Sequence, residues 1–384
     1  MKILSFSYCF PNESNPTWGM FVYQRLAALA RLEELRVCSP GPWCPGLTGN
    51  AACADACPWQ ELAVYRPRFF YIPRFLKNAD ARLYGRGLKP WLENLCKGWR
   101  PDLLDAHFVW PDGVGVALLA KALGIPYVVT LRGKIYECLK VPAQTRQCAE
   151  ALQGAAAVIS VSSKMAEEAH KLGVPRDRLH LIANGIDRKH FYPREKEECR
   201  RILGLPETGR LLVTIAHLGH RKGHHETIQA LAGLPSDVRL LIVGGPAQGG
   251  TEEVLREVAR SAGVEDRLIL PGRQPFDKIP LYYNAADISV LASYREGCPN
   301  AVLESLACGT PVVATDVGAV PDILPVPAAG RMVPPEQVEP LRYALAEVLQ
   351  QSWNADEVVQ ASGVRSWDQV AQEVREVMIK VLDR

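Results

Sequence analysis

Short apolar runs alternate with amphipathic stretches along almost the whole chain. KILSFSY, LLDAHFV, PYVVTL and AAVISVS read as buried strands in the first half. LLVTIA, VRLLIVGG, RLILPG, DISVLAS and TPVVATD do so in the second. Strands that are apolar on both faces and separated by helix-length segments predict parallel sheets covered by helices. Helices are expected over residues 18–31, 114–123, 164–172, 224–232, 252–262, 301–308, 335–349 and 366–382. Two successive strand–helix series predict two doubly wound α/β domains, although the pattern alone also admits one barrel.

The division is legible in LIANGIDRKHFYPREKEE. Asn184-Gly185 is a turn signal, and Pro193 followed by a charge cluster marks a linker, which puts a hinge near residues 187–205. Residues 40–100 are the least regular part, with clustered Pro, Gly, Cys and Trp ahead of the basic, aromatic-threaded VYRPRFFYIPRFLKNADARLYGRGLKPW. That stretch admits two readings. It is either a solvated loop and helix anchored by aromatics, or a patch at residues 64–91 for an anionic or lipid-linked partner. At the other end, Trp367, Val370, Val374, Met378 and Val381 recur at helical spacing, which predicts a terminal helix packed on a core.

A length of 384 residues suits two domains of ordinary size. The net charge of +2 gives no support for nucleic-acid binding, and no run approaches the roughly 18 apolar residues of a transmembrane helix. MKILSFSYCFPNE reads as a first buried strand rather than a secretory signal. Of the eleven cysteines, Cys9, Cys96, Cys148 and Cys308 lie in apolar contexts. Cys38, Cys44, Cys53 and Cys57 are six, nine and four positions apart, which lacks the paired short spacings of a zinc site. A reduced, cytoplasmic protein is the expectation, peripheral at the inner face of a membrane if residues 64–91 bind lipid.

Ligands of open α/β sheets gather at the carboxyl ends of strands and in clefts between domains, so polar residues there are the candidates. His107 ends LLDAH, Arg132-Gly133 follows PYVVTL, and Gly19 lies between the first strand and first helix. In TIAHLGHRKGHHETI, His217, His220, Arg221 and Lys222 occupy the turn after a strand, with His224 and His225 opening the next helix. Clustered cations beside Gly219 and Gly223 suit a pyrophosphate better than a metal, since the spacing matches no usual zinc signature. The chain carries no G-x-x-x-x-G-K-[ST] loop, no G-x-G-x-x-G fingerprint and no Asp-x-Asp pair, which disfavours a kinase or an NAD enzyme. A bound nucleotide would have its charge met by Arg, Lys and helix N-termini rather than by magnesium. In REGCPNAVLESLACGTPVVATDVGAVPD, Glu296 and Glu304 stand eight positions apart around a Cys-Pro-Asn turn. Pro and Asn are helix-start chemistry, leaving Glu296 just outside a helix and Glu304 within it.

Together these stretches resemble the retaining glycosyltransferases of family four. Glu296, seven residues, Glu304 and the following SLACGTPVVATDVGAVPDIL look like that family's E-x7-E motif and its continuation. LIANGID, Lys222-Gly223, AADISVLAS and the segment from Ser366-Trp367 match other parts, so the resemblance covers nearly the full length, with residues 40–100 the main part unmatched. The chain departs from the pattern at Arg132, where His is frequent, and at His217, where Arg is common, with Arg221 able to restore that charge. The resemblance implies a GT-B fold, with two Rossmann-like domains facing a cleft. An acceptor-binding domain would span residues 1–190 and a nucleotide-sugar domain residues 191–365, with residues 366–384 packing back on the first. It implies no cofactor and no metal. The partners would be a nucleotide diphosphate sugar as donor and a glycan or lipid-linked acceptor. By the same resemblance Glu296 and His107 would meet the sugar and Glu304 the ribose. Gly19, Arg221, Lys222, Gly297, Asn300 and Ala301 would surround the diphosphate, with Arg132 and His217 as further candidates. A sugar-nucleotide epimerase of the same fold and a non-catalytic sugar-nucleotide sensor are the rival readings.

Overall fold

The computed structural model of the chain describes residues 1–44, 53–72, 75–247 and 250–383. It forms two compact units, unit 1 from Met1–Asn184 and Trp367–Arg384, unit 2 from Gly185–Ser366.

Unit 1 contains β1 (Lys2–Phe6), β2 (Glu34–Cys38), β3 (Gly41–Trp43), β4 (Cys53–Trp59), β5 (Leu62–Arg66), β6 (Arg68–Phe70), β7 (Leu103–His107), β8 (Tyr127–Leu131), β9 (Ala157–Ser160) and β10 (Leu179–Leu181). Eight of these make one sheet in the order β10-β9-β8-β7-β1-β2-β5-β4, parallel except for the antiparallel edge pair β4–β5. β7 and β8 are buried at every position, which is why they read as unbroken apolar runs in sequence. The helix Trp367–Leu382 buries Trp367, Val370, Val374, Met378 and Val381 in the unit 1 core, in a cluster shared with Val22, Leu26 and Leu29 of the helix Met20–Ala30.

Residues 40–100 are more regular than expected. They hold β3 to β6 and the helix Asp80–Gly98, whose buried residues Ala81, Tyr84, Gly85, Leu88 and Leu92 follow helical spacing. Pro90 lies inside that helix on an exposed position, and a helix-breaking residue there hides the period. The expectation of wholly reduced cysteines also needs correction, because Cys57 on the edge strand β4 is disulfide-bonded. Cys53 lies among side chains outside the described set.

Unit 2 contains β11 (Arg210–Ile215), β12 (Val238–Val243), β13 (Leu268–Gly272), β14 (Ile288–Leu291), β15 (Val312–Thr315) and β16 (Gly330–Val333). Its sheet runs β13-β12-β11-β14-β15-β16, all parallel, the strand order of a dinucleotide-binding fold. Residues 187–205, read as a hinge, carry the helix Lys196–Leu203, and the chain passes between units at Asn184–Gly185 and at Ser366–Trp367.

Each sheet has one point where strand order reverses: between β1 and β7 in unit 1, and between β11 and β14 in unit 2. Connections leave such a pair on opposite faces, so a crevice opens beyond the carboxyl ends. His107 ends β7 in unit 1. The segments 216–223 and 292–299 follow β11 and β14 in unit 2.

Candidate active site

The unit 2 site is built by two loops pressed together. After β11 the chain makes a short turn over His220–Lys222 and closes on Gly223 at φ +67°. A Cβ at Gly223 would lie 2.0 Å from the Ala292 carbonyl oxygen, so only glycine lets this turn rest against the end of β14. The amide of Tyr294 donates to the Arg221 carbonyl at 2.9 Å, and the Tyr294 hydroxyl donates to Glu226 at 2.6 Å. The consequence is that Lys222 Nζ donates to Glu296 Oε1 at 2.6 Å, across 74 residues of sequence, with both side chains largely buried. An ion pair at this burial is held against desolvation by its short charge-assisted contact.

The histidines around Lys222 are mostly absorbed by packing. His224 is buried with Nε2 3.0 Å from the His217 carbonyl, and burial pushes its pKa down to about 4. His220 packs edge-on against His225 and Tyr294. His217 Nδ1 accepts from the Gly219 amide at 3.2 Å. Desolvation, with Lys222 and Arg221 close by, holds its pKa below the ordinary histidine value. Among the described residues no three His, Cys, Asp or Glu side chains converge as a metal set.

The second loop leads into the helix Asn300–Ala307, which starts after Pro299 and has no side-chain cap, unlike the helices opened by Ser162, Thr251 and Asn354. Its first amide groups and the positive end of its dipole make a local anion site in the making. Glu296 lies outside the helix. Gly297 is fixed by its carbonyl, which accepts from Ala319 N at 2.8 Å and so ties the turn to the loop after β15. Glu304 is in the second turn and accepts from the Tyr283 hydroxyl at 3.0 Å. Burial raises its pKa to about 7, and the Tyr283 bond offsets this only in part. Tyr283, wholly buried on the helix Ile279–Ala285, gave no sign of a site role in sequence. The structure thus brings Lys222 and Glu296 into contact, with Arg221 and His217 beside them, and sets Glu304 apart on its own partner.

In unit 1, Gly19 opens the helix Met20–Ala30 at φ +74°, where a Cβ would meet the Cys9 carbonyl oxygen at 2.3 Å. His107 is fully buried, with Nε2 3.0 Å from Asp105 Oδ2. Ser5 Oγ donates to the same carboxylate oxygen at 2.8 Å, and Arg25 lies 3.9 Å from the other while donating to Thr130 at 2.9 Å. Burial opposes charge on Asp105, but His107, Arg25 and Ser5 together hold its pKa below the usual carboxylate range. An ionised carboxylate only accepts, so His107 carries its proton on Nε2. Its Nδ1 is then a buried lone pair without a hydrogen-bond partner. Burial lowers the His107 pKa to about 4, with Asp105 opposing and Arg25 and Arg132 adding to the fall. Arg132 is buried, donates to Asn184 Oδ1 at 3.0 Å and lies over the Phe21 ring. Sequence reasoning missed Asp105 and Arg25, although a buried acid two residues before a strand-end histidine was legible in LLDAH.

A cavity of about 1050 Å³ opens in unit 1, walled by Tyr8, Trp18, Trp59, Phe69, Tyr71 and Trp110. Beneath it Asp112 accepts from the Tyr8 amide at 3.1 Å and the Tyr84 hydroxyl at 2.8 Å. Burial raises the Asp112 pKa to about 8.

Two Rossmann-like units, each with its candidate residues at a strand-order switch, make up the architecture that the sequence resemblance implies. The family models agree: "Glycosyltransferase Family 4" matches residues 17–190, and "Glycosyl transferases group 1" matches residues 195–362. TuaC of Bacillus subtilis (strain 168), whose name places it in teichuronic acid biosynthesis, is 33% identical over 83% of this chain and 82% of its own. The D-inositol 3-phosphate glycosyltransferase of Acidothermus cellulolyticus is 29% identical over 64% of this chain and 58% of its own. Among solved structures, sucrose-phosphate synthase of Thermosynechococcus elongatus superposes with a TM-score of 0.79 at 19% identity, over 100% of this chain and 99% of that one. HepE of Anabaena with UDP gives 0.77 at 18% identity, over 99% and 100%. The chain belongs to the family-four glycosyltransferases and has the GT-B fold. No helix among the described residues is long and apolar enough to cross a membrane.

Proposed function

We propose that the chain moves a sugar, with retention of configuration, from a nucleotide diphosphate sugar to a hydroxyl acceptor in polysaccharide or lipid-linked glycan assembly, without a divalent metal. The observation that carries this reading is the 2.6 Å pair of Lys222 and Glu296 beside an uncapped helix N-terminus at the unit 2 switch point. It supplies a cation for a diphosphate, a carboxylate for sugar hydroxyls, and backbone amides for developing negative charge. Charge stabilisation of the leaving group is the main protein contribution to such a transfer.

In this reading Lys222 and Arg221 meet the diphosphate with the amides around Gly297, Asn300 and Ala301. Glu296 holds the transferred sugar and Glu304 the ribose hydroxyls. Gly19 keeps the backbone of unit 1 low enough for a phosphate to approach, and Arg132 and His217 add positive potential or hydrogen bonds. His107 offers its Nδ1 lone pair to a sugar hydroxyl. Since the imidazole is fully buried, its surroundings must open for that contact. HepE has been solved with UDP and with UDP-glucose, which supports a uridine donor, and the name of TuaC, which places it in teichuronic acid biosynthesis, supports polysaccharide assembly as the setting.

A thermal-shift screen of UDP-, GDP- and ADP-sugars tests the donor, because a ligand at 100 times its Kd adds about 2.7 kcal/mol of stability. Release of the nucleoside diphosphate only when acceptor is present then tests transfer. Absence of a shift with every donor overturns the reading, and release independent of acceptor overturns the transfer step.

A further inference from the structure

The helix Asp80–Gly98 has two unlike faces. Its buried face is apolar, whereas the exposed positions 82, 86, 89, 93 and 97 fall on one stripe carrying Arg82, Arg86, Lys89, Glu93 and Lys97. Only Lys89 on this stripe is neutralised within it, by Glu93 at 2.6 Å. β6 lies directly against the helix: a Cβ at Gly87 would sit 2.9 Å from Phe69 Cβ and 3.8 Å from Phe70 N. Phe69 turns inward and Phe70 turns out at 41% exposure. Just ahead of the helix Phe75 is 70% and Leu76 61% exposed. Lys77, the next residue, reaches back to the Tyr71 hydroxyl at 2.5 Å, which brings this tip beside the end of β6.

Three large apolar side chains in water beside an uncompensated cationic stripe are costly for a free surface. We infer that this face of unit 1 docks on an anionic lipid bilayer, with Phe70, Phe75 and Leu76 entering the headgroup boundary and Arg82, Arg86 and Lys97 against lipid phosphates. Apolar residues next to basic ones are the pattern of interfacial attachment, in which burial and electrostatic attraction add. The aromatic cavity shares these segments, since Phe69, Tyr71, Lys77 and Asp80 line it. Docking therefore holds that cavity at the bilayer surface, where a lipid-linked acceptor would present its sugar. This last step rests on the proposed function, and the docking itself does not.

Vesicle co-sedimentation tests it. The full chain is incubated with phosphatidylcholine vesicles, with or without about 30% phosphatidylglycerol, at low salt and at about 0.5 M salt. Binding is expected to the anionic vesicles only and to fall at high salt. F75E/L76E and, separately, R82E/R86E should each weaken it at least ~tenfold. All four positions are exposed, and unchanged thermal unfolding and an unchanged donor-induced shift in solution confirm that the fold and the unit 2 site are intact. Failure of the parent to bind anionic vesicles, equal binding to neutral ones, or parent-like binding by both variants overturns the inference. Each of these outcomes leaves the transferase reading standing if the donor shift persists.

Discussion

Lys222 and Glu296 form their ion pair at the crevice of unit 2 although neither lies in a strand or a regular helix. The pair is a ready-made division of labour. In the proposed reading, a diphosphate engages the lysine and the carboxylate is released to accept from sugar hydroxyls. Glu296→Gln should lower kcat on the order of a hundredfold with a smaller change in KM, because bonds to a sugar distorting towards the transition state tighten during reaction. Steady-state kinetics in donor concentration check this, and an unchanged kcat removes Glu296 from the sugar.

Glu304 should behave differently. If it binds only ribose, Glu304→Gln raises the donor KM by the roughly 1.5–3 kcal/mol of a lost charged hydrogen bond and largely spares kcat. Its pKa of about 7 adds a pH signature. Donor affinity should improve as pH rises from about 6 to 8 in the parent and stay flat in Glu304→Gln. A parent titration with no inflection near neutrality contradicts this.

His107 gives a spectroscopic prediction. With its proton on Nε2 facing Asp105 and its pKa near 4, the ring should stay neutral, as one tautomer, across pH 5 to 9. Nitrogen chemical shifts of the imidazole report both properties. Protonation with a midpoint near 6.5 would show that burial does not keep the ring neutral as described.

Asp112 ties stability to pH. Its folded-state pKa is raised from an ordinary 3.8 to about 8, so the folded protein takes up the proton the more readily. The stabilisation is complete below pH 3.8 and lost as pH rises through 8. Asp112→Asn should flatten the contribution of this residue over that window, and so gain on the parent towards pH 8. Melting temperatures from pH 5 to 9 measure it, and parallel curves for parent and variant defeat it.

Activity should survive excess EDTA, since Lys222, Arg221 and a helix N-terminus are proposed to supply the charge that magnesium would. A loss of more than about tenfold, restored by magnesium or manganese, would sink metal independence.

What could be read from sequence were features repeated locally. Strands buried on both faces announce themselves, as β7 and β8 did, and Glu296 and Glu304 stand in one continuous motif. What could not be read was contact across the chain. Tyr283 finds Glu304 at a sequence separation of 21 positions, and Arg25 reaches Thr130 at one of 105. No period or spacing encodes either. A helix in this stretch was one of the two readings, but the bounds Asp80–Gly98 were not legible: Pro90 and three glycines lower helix propensity, and packing of Tyr84, Leu88 and Leu92 overrides it.

The last helix has a consequence for the order of assembly. The residues that close the core beside Leu26 and Leu29 lie beyond all of unit 2. On the ribosome, unit 1 must wait with an apolar groove along the helix Met20–Ala30 while unit 2 is made and free to fold. A nascent chain stalled before Trp367 is therefore the species most in need of a chaperone, and a clipped C-terminus should betray itself first as aggregation through unit 1.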